Sequence, residues 1–186
     1  MLDCDEMFQS RRRAPARGET WLDGFMQVSA KVDYGVRALL VLAEQYQRDA
    51  QQLTKADTIA TNQTISIKFL EGILTELRHG GFVISQRGAV GGYRLSRDPA
   101  LIPLADVIRV LDGPLAAVRG LRPEQVAYQG ASVHLQDVWV GVRSALRSVL
   151  EGVTLADIVS GALPSQLQEL VDAPDAWVSR PGYGAN

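Results

Sequence analysis

The stretch ISIKFLEGILTELRHGGFVISQRGAVGGYRLS, residues 65–96, leaves little choice of fold. From Ser66 on, Phe69, Leu70, Ile73, Leu74 and Leu77 recur at three- and four-residue spacing, which predicts a helix with that side buried. Ser66, Lys68, Glu71, Gly72 and Thr75 fall on its other side. Gly80-Gly81 stop it as helix C-caps do. FVISQ and YRLS then read as two short strands joined by a glycine-containing turn, a hairpin. A phosphate-cradling loop would need a helix after its glycines, so that backbone N–H groups and the helix dipole face the anion. A strand follows Gly91-Gly92 instead, which argues against a nucleotide loop. A plain hairpin remains one reading, and a protruding wing that touches nucleic acid is the other. The two glycines are expected to permit positive φ at a tight tip. Arg87, at its base, is placed to enter a minor groove and sense its width and negative potential.

Upstream, Ser29 opens a helix pattern with Val32, Val36, Leu39, Leu40 and Ala43 on one face. LTKADTIA begins a shorter helix, with Thr54 as the expected N-cap and Asp57 near the positive helix end. NQTIS is a turn. Helix, helix, turn, helix and hairpin is the order of a winged helix-turn-helix. Charge agrees with a nucleic-acid-binding first half. Residues 29–97 hold nine Lys/Arg against six Asp/Glu, whereas residues 98–186 hold six against ten. The uneven distribution fits a basic module joined to an acidic one; chance alone would also account for it.

Downstream, PLADVIRVLDGPL predicts a short helix ended by Asp112-Gly113-Pro114. Residues 116–132 are weakly patterned. Leu135, Val138, Trp139, Val142, Leu146 and Val149 then form a continuous apolar seam along a long helix. A small winged domain offers such a helix little to bury against, so the seam reads as a dimer interface; burial within the subunit is the other reading. TLADIVSGAL adds a terminal helix. The expected fold is mainly α with one small β-hairpin: a winged helix-turn-helix domain over 26–100, then a linker, a sensor-like region and dimerisation helices over 101–163. Residues 1–25 and 164–186 are expected to be disordered tails, and whether Met26 is the true start stays open. No apolar run of membrane-spanning length occurs, nor does an apolar signal-peptide core near the start. A cytoplasmic protein without membrane contact is the expectation. Cys4 is the only cysteine, so one chain can form neither a disulfide nor a cysteine-rich metal site.

VSAKVDYGVRALLVLA, the 65–96 stretch, IPLADVIRVLDGPLA and VTLADIV together resemble the Rrf2-type transcriptional regulators, in order and with similar spacing, over about residues 26–163. The resemblance implies a dimeric winged-helix DNA-binding protein with a long dimerisation helix. It implies that Ser29, Lys31 and Tyr34 begin a helix docking on the DNA backbone. Ser66, Lys68 and Glu71 match the helix that enters the major groove, and Arg87 the wing arginine of the minor groove. Gly72 stands where cluster-binding members often have Gln, so the operator is expected to differ. Sensor members carry three cysteines before the dimerisation helix, and these hold an iron–sulfur cluster. This chain has VRGLRPEQVAYQGASVHLQDVW there, without a thiol, and such clusters need thiolates. No cofactor and no metal site are therefore expected; His79 and His134 read as surface or packing residues.

The sequence thus points to a sequence-specific regulator of transcription, a repressor, binding double-stranded DNA at a near-palindromic operator as a homodimer. The alternative is a winged-helix adaptor that binds protein and has lost DNA. Lys31, Lys68 and Arg87 discriminate the two, because an adaptor need not keep cations at three DNA-facing positions. An enzyme is not expected, since no nucleophile–base pair or metal-ligand cluster appears. Residues 116–132 are left with three roles: holding a small effector, contacting a protein effector, or sensing nothing.

Overall fold

The computed structural model describes residues 28–88 and 90–178. Among the described residues, seven α-helices and one hairpin follow each other as α1 (Ala30–Arg48), α2 (Ala56–Gln63), α3 (Ile67–His79), β1 (Val83–Gln86), β2 (Gly92–Leu95), α4 (Leu104–Leu111), α5 (Leu135–Leu150), α6 (Leu155–Ser160) and α7 (Ser165–Val171). Short 3-10 turns fill Pro99–Leu101, Pro123–Gln125 and Gly130–Ser132. The expected architecture, mainly helical with a winged helix-turn-helix, is the one observed.

The core forms where α1 crosses the other elements. It packs against α2, α3, α4, α6 and β2. Val32, Leu39, Leu42 and Ala43 of α1 meet Leu70, Ile73, Leu74 and Leu77 of α3 in one buried cluster, with Ile59, Leu95, Val107 and Leu111. The periodicity of α3 was legible for this reason: a helix over a shared core must keep one side apolar. Ser29 caps α1, its hydroxyl accepting from the Val32 N–H at 3.1 Å. α3 ends at Gly80 with Gly81 left-handed at φ 76°, and the Phe82 N–H returns to the Leu77 carbonyl at 2.9 Å. That closure turns the chain straight into β1.

Four local expectations need correcting. Phe69 is 44 % exposed rather than buried; it sits on the flank of α3, where its ring meets Tyr34 edge-on at 5.7 Å. Thr54 is not the N-cap of α2. Lys55 holds that position without a side-chain cap, because the Thr54 backbone is paired elsewhere. Its N–H donates to Tyr93 and its carbonyl accepts from the Tyr93 N–H, both at 2.8 Å, so it adds one rung beside the hairpin. This rung explains the wing glycines differently from the sequence reading. Among the described residues of the turn, the positive φ is at Gly88, 110°, and not at Gly91 or Gly92. A Cβ on Gly92 would lie 2.6 Å from the Thr54 carbonyl oxygen, and one on Gly91 would lie 2.3 Å from that of Gln86. The pair is there for close backbone approach. Finally, residues 165–171, expected within a disordered tail, form α7, although none of its residues is buried. The stretch 1–25 lies outside the described residues.

α4 and α6 are clamped together at their starts. Leu104 N–H donates to the Val153 carbonyl at 2.8 Å, and Leu155 N–H to the Ile102 carbonyl at 3.1 Å. α5 stands apart from this packing: no residue of it is buried. Its inner side touches the 3-10 turn at 123–125 and α4.

Candidate nucleic-acid interface

α3 is held by its buried side, so its opposite side is presented outward. Ser66, Lys68, Glu71, Gly72 and Thr75 are all exposed, as the spacing predicted. His79 continues the same face, eleven residues and three turns beyond Lys68; sequence reading passed over it as a surface residue. The face has donors and acceptors of mixed sign, which is what reading base edges in a major groove requires. Lys68 makes no ion pair among the described residues, so its charge is uncommitted.

The wing is the second component. β1 and β2 pair antiparallel from Val83–Leu95 to Gln86–Gly92. Arg87 follows directly on β1 and is exposed, again without an ion pair among the described residues. The Thr54–Tyr93 rung fixes the base of the wing to the start of α2. Lys55 and Arg78 border the same hollow as Arg87 and Gly91. Neither cation was singled out from sequence, because they come from different helices and only the folded chain brings them to the wing.

The three candidates at the start of the first helix make contacts within the chain. Lys31 Nζ donates to Glu76 of α3 at 3.2 Å and lies 3.9 Å from Asp112 after α4. Tyr34 stacks edge-on with Phe69 and lies under the Arg37 guanidinium at 5.4 Å. Both side chains thus join α1 to the flank of α3. Ser29 is engaged in its own cap. Lys31 and Tyr34 thus meet α3 and Ser29 caps α1, while Lys68, Glu71 and Arg87 stand free at the surface.

The residues of the apolar seam all lie on α5. Val138 is 54 % exposed. Leu135, Trp139, Val142, Leu146 and Val149 are half-buried. Leu146 also borders a small apolar cavity with Val32 and Ile108 of its own chain. No helix among the described residues is long and apolar enough to cross a membrane.

Three helices with an exposed third and a hairpin tied beside it define a winged helix-turn-helix protein of the transcription-regulator class. Comparison with known proteins places it further: residues 28–161 match the Rrf2 model, described as "Iron-dependent Transcriptional regulator". The chain belongs to the Rrf2 family, a family of regulators and not of enzymes. It is 44 % identical over 147 residues to Rv1287 of Mycobacterium tuberculosis, named as a putative HTH-type transcriptional regulator, covering 79 % of this chain and 89 % of that one. It is 35 % identical over 135 residues to the HTH-type transcriptional regulator CymR of Bacillus subtilis, covering 73 % and 91 %. The solved structure of that CymR superposes with a TM-score of 0.62 at 32 % identity, over 74 % of this chain and 98 % of that one. T. potens IscR gives 0.59 at 33 % identity, over 77 % and 93 %.

The family description mentions iron, and the donor set between α4 and α5 does not fit it. The His134 side chain is 89 % exposed and lies 3.6 Å from Asp137. The Glu124 carboxylate is engaged by Arg143. Among the described residues no group of three His, Cys, Asp or Glu is placed to hold a metal. Arg119 and Arg122 of the segment have no lone pair to offer a metal.

Proposed function

We propose that the protein is a sequence-specific DNA-binding repressor of the cytoplasm. It acts as a homodimer on a near-palindromic operator and does so without an iron–sulfur cluster. The observation that carries this reading is the outward face of α3 beside the exposed Arg87. Lys68 and Arg87 keep uncommitted cations at two of the three discriminating positions, which an adaptor would have no need of. Lys31, the third, is paired with Glu76 and Asp112 within the chain. α3 enters the major groove, with Lys68 and Glu71 three residues apart on one face. The wing carries Arg87 to the adjacent minor groove. Paired along α5, two chains present two such modules, and half-sites one DNA turn apart follow from the two-fold axis.

Glu71 provides the test of reading as distinct from mere attraction. A carboxylate near phosphates is repelled, so its place on this face is justified by accepting from a cytosine amino group. Glu71→Ala is expected to relax base preference at one position per half-site while non-specific affinity stays equal or rises. Selection from a randomised site measures this, and an unchanged preference contradicts the assignment. Purified anaerobically from iron-supplied cells, the protein is expected to be colourless and to bind its operator equally with or without chelator. Stoichiometric iron and sulfide with a visible charge-transfer band would contradict the cluster-free reading.

A further inference from the structure

Between α4, the loop at 113–124 and α5 lies a cleft of about 500 Å³, within the range of small-molecule sites, roughly 300–1,000 Å³. Arg109, Arg122, Arg143 and Arg147 line it, with Pro114 and Leu115 as an apolar wall. They come from three separate segments, and the fold brings them to one concavity. The carboxylates in contact with these arginines are Asp106, Glu124 and Glu151. Arg109 of α4 and Arg147 of α5 both engage Glu151; Arg143, whose side chain is only 19 % exposed, engages Glu124. Arg122 forms no ion pair among the described residues. Four arginines against three carboxylates leave a local positive excess, within a half of the chain that is otherwise acidic. The ion pairs hold the Glu151 carboxyl below its ordinary range, Arg147 first and then Arg109. Glu124 is lowered by its own backbone N–H and then by Arg143 and, at longer range, Arg122.

We infer that this cleft binds a small organic anion carrying a carboxylate or phosphate group. Convergent guanidinium groups repel one another across a concave wall, and an anion offsets that cost. Their planar forks match either group with paired hydrogen bonds, and Pro114 and Leu115 cover an apolar remainder. Arg122, with no carboxylate of its own, supplies the first contact. Arg143 supplies the second as Glu124 yields it. A ligand bridging α4 and α5 fixes the angle of α5, whose next face carries Val142 and Leu146. Its effect on assembly rests on the regulator reading above; binding itself does not.

The test uses the full chain at fixed salt and no DNA. Succinate and glycerol phosphate are titrated separately by calorimetry, with glycerol as the neutral control, so the two arms separate the anionic groups. Saturable binding of at least one anion is expected, and none of glycerol. Arg122→Gln, which breaks no ion pair, is expected to weaken it by about tenfold or more with the melting temperature unchanged. Arg143→Gln is expected to weaken it further. Binding of neither anion, or binding that Arg122→Gln leaves unchanged, overturns the inference.

Discussion

Val142→Asp yields a folded monomer that no longer holds its operator. Within one chain no residue of α5 is buried, so an aspartate there does not disturb the core shared by α1, α3 and α4. In a pair of chains it puts a carboxylate into an apolar seam. Desolvating a polar group without a partner costs at least about 2 kcal/mol. Two-fold symmetry counts it twice, which at about 4 kcal/mol weakens association roughly a thousandfold. Light scattering at micromolar concentration is expected to show a dimer for the wild type and a monomer for the variant, with unchanged helical content by circular dichroism. Operator affinity falls with it, because a lone module grips one half-site. A wild-type protein that is itself monomeric contradicts the seam's role.

Arg87→Ala has the next largest expected effect. The side chain is exposed and its neighbours on the wing are held by backbone pairing, so the fold is indifferent to the change. Loss of one good DNA contact costs about 1–3 kcal/mol, or roughly 5- to 150-fold in affinity. The loss is expected at the operator in a gel-shift titration at fixed salt. Arg87→Lys keeps the charge but not the planar fork, so it restores attraction more than discrimination. Operator affinity that Arg87→Ala leaves unchanged removes the wing from the interface.

What the sequence displayed and what it hid divide along physical lines. The outer and inner sides of α3 were legible because a helix on one core repeats its apolar residues locally. The hairpin was legible from its turn. Hidden were features that depend on two distant segments. Thr54 looked like a cap because its partner, the Tyr93 backbone, is far along the chain. Lys31 looked free for DNA because Glu76, its acceptor, lies forty-five residues away. Phe69 had the spacing of a core residue but sits at the edge of the helix's buried arc, where Tyr34 meets it. The arginine cleft left no signal at all, since its four members are scattered between 109 and 147 and only α4 and α5 together assemble them. The seam on α5 is the converse case: its pattern was plain, and a single chain buries none of its residues fully.

The most direct measurement is selection of bound fragments from the host genome by the purified wild-type protein, followed by titration of the recovered sites against random duplex at the same salt. The account predicts near-palindromic sites, bound at least about a thousandfold more tightly than random duplex. Equal affinity for recovered and random DNA, or no retention of DNA, would contradict it.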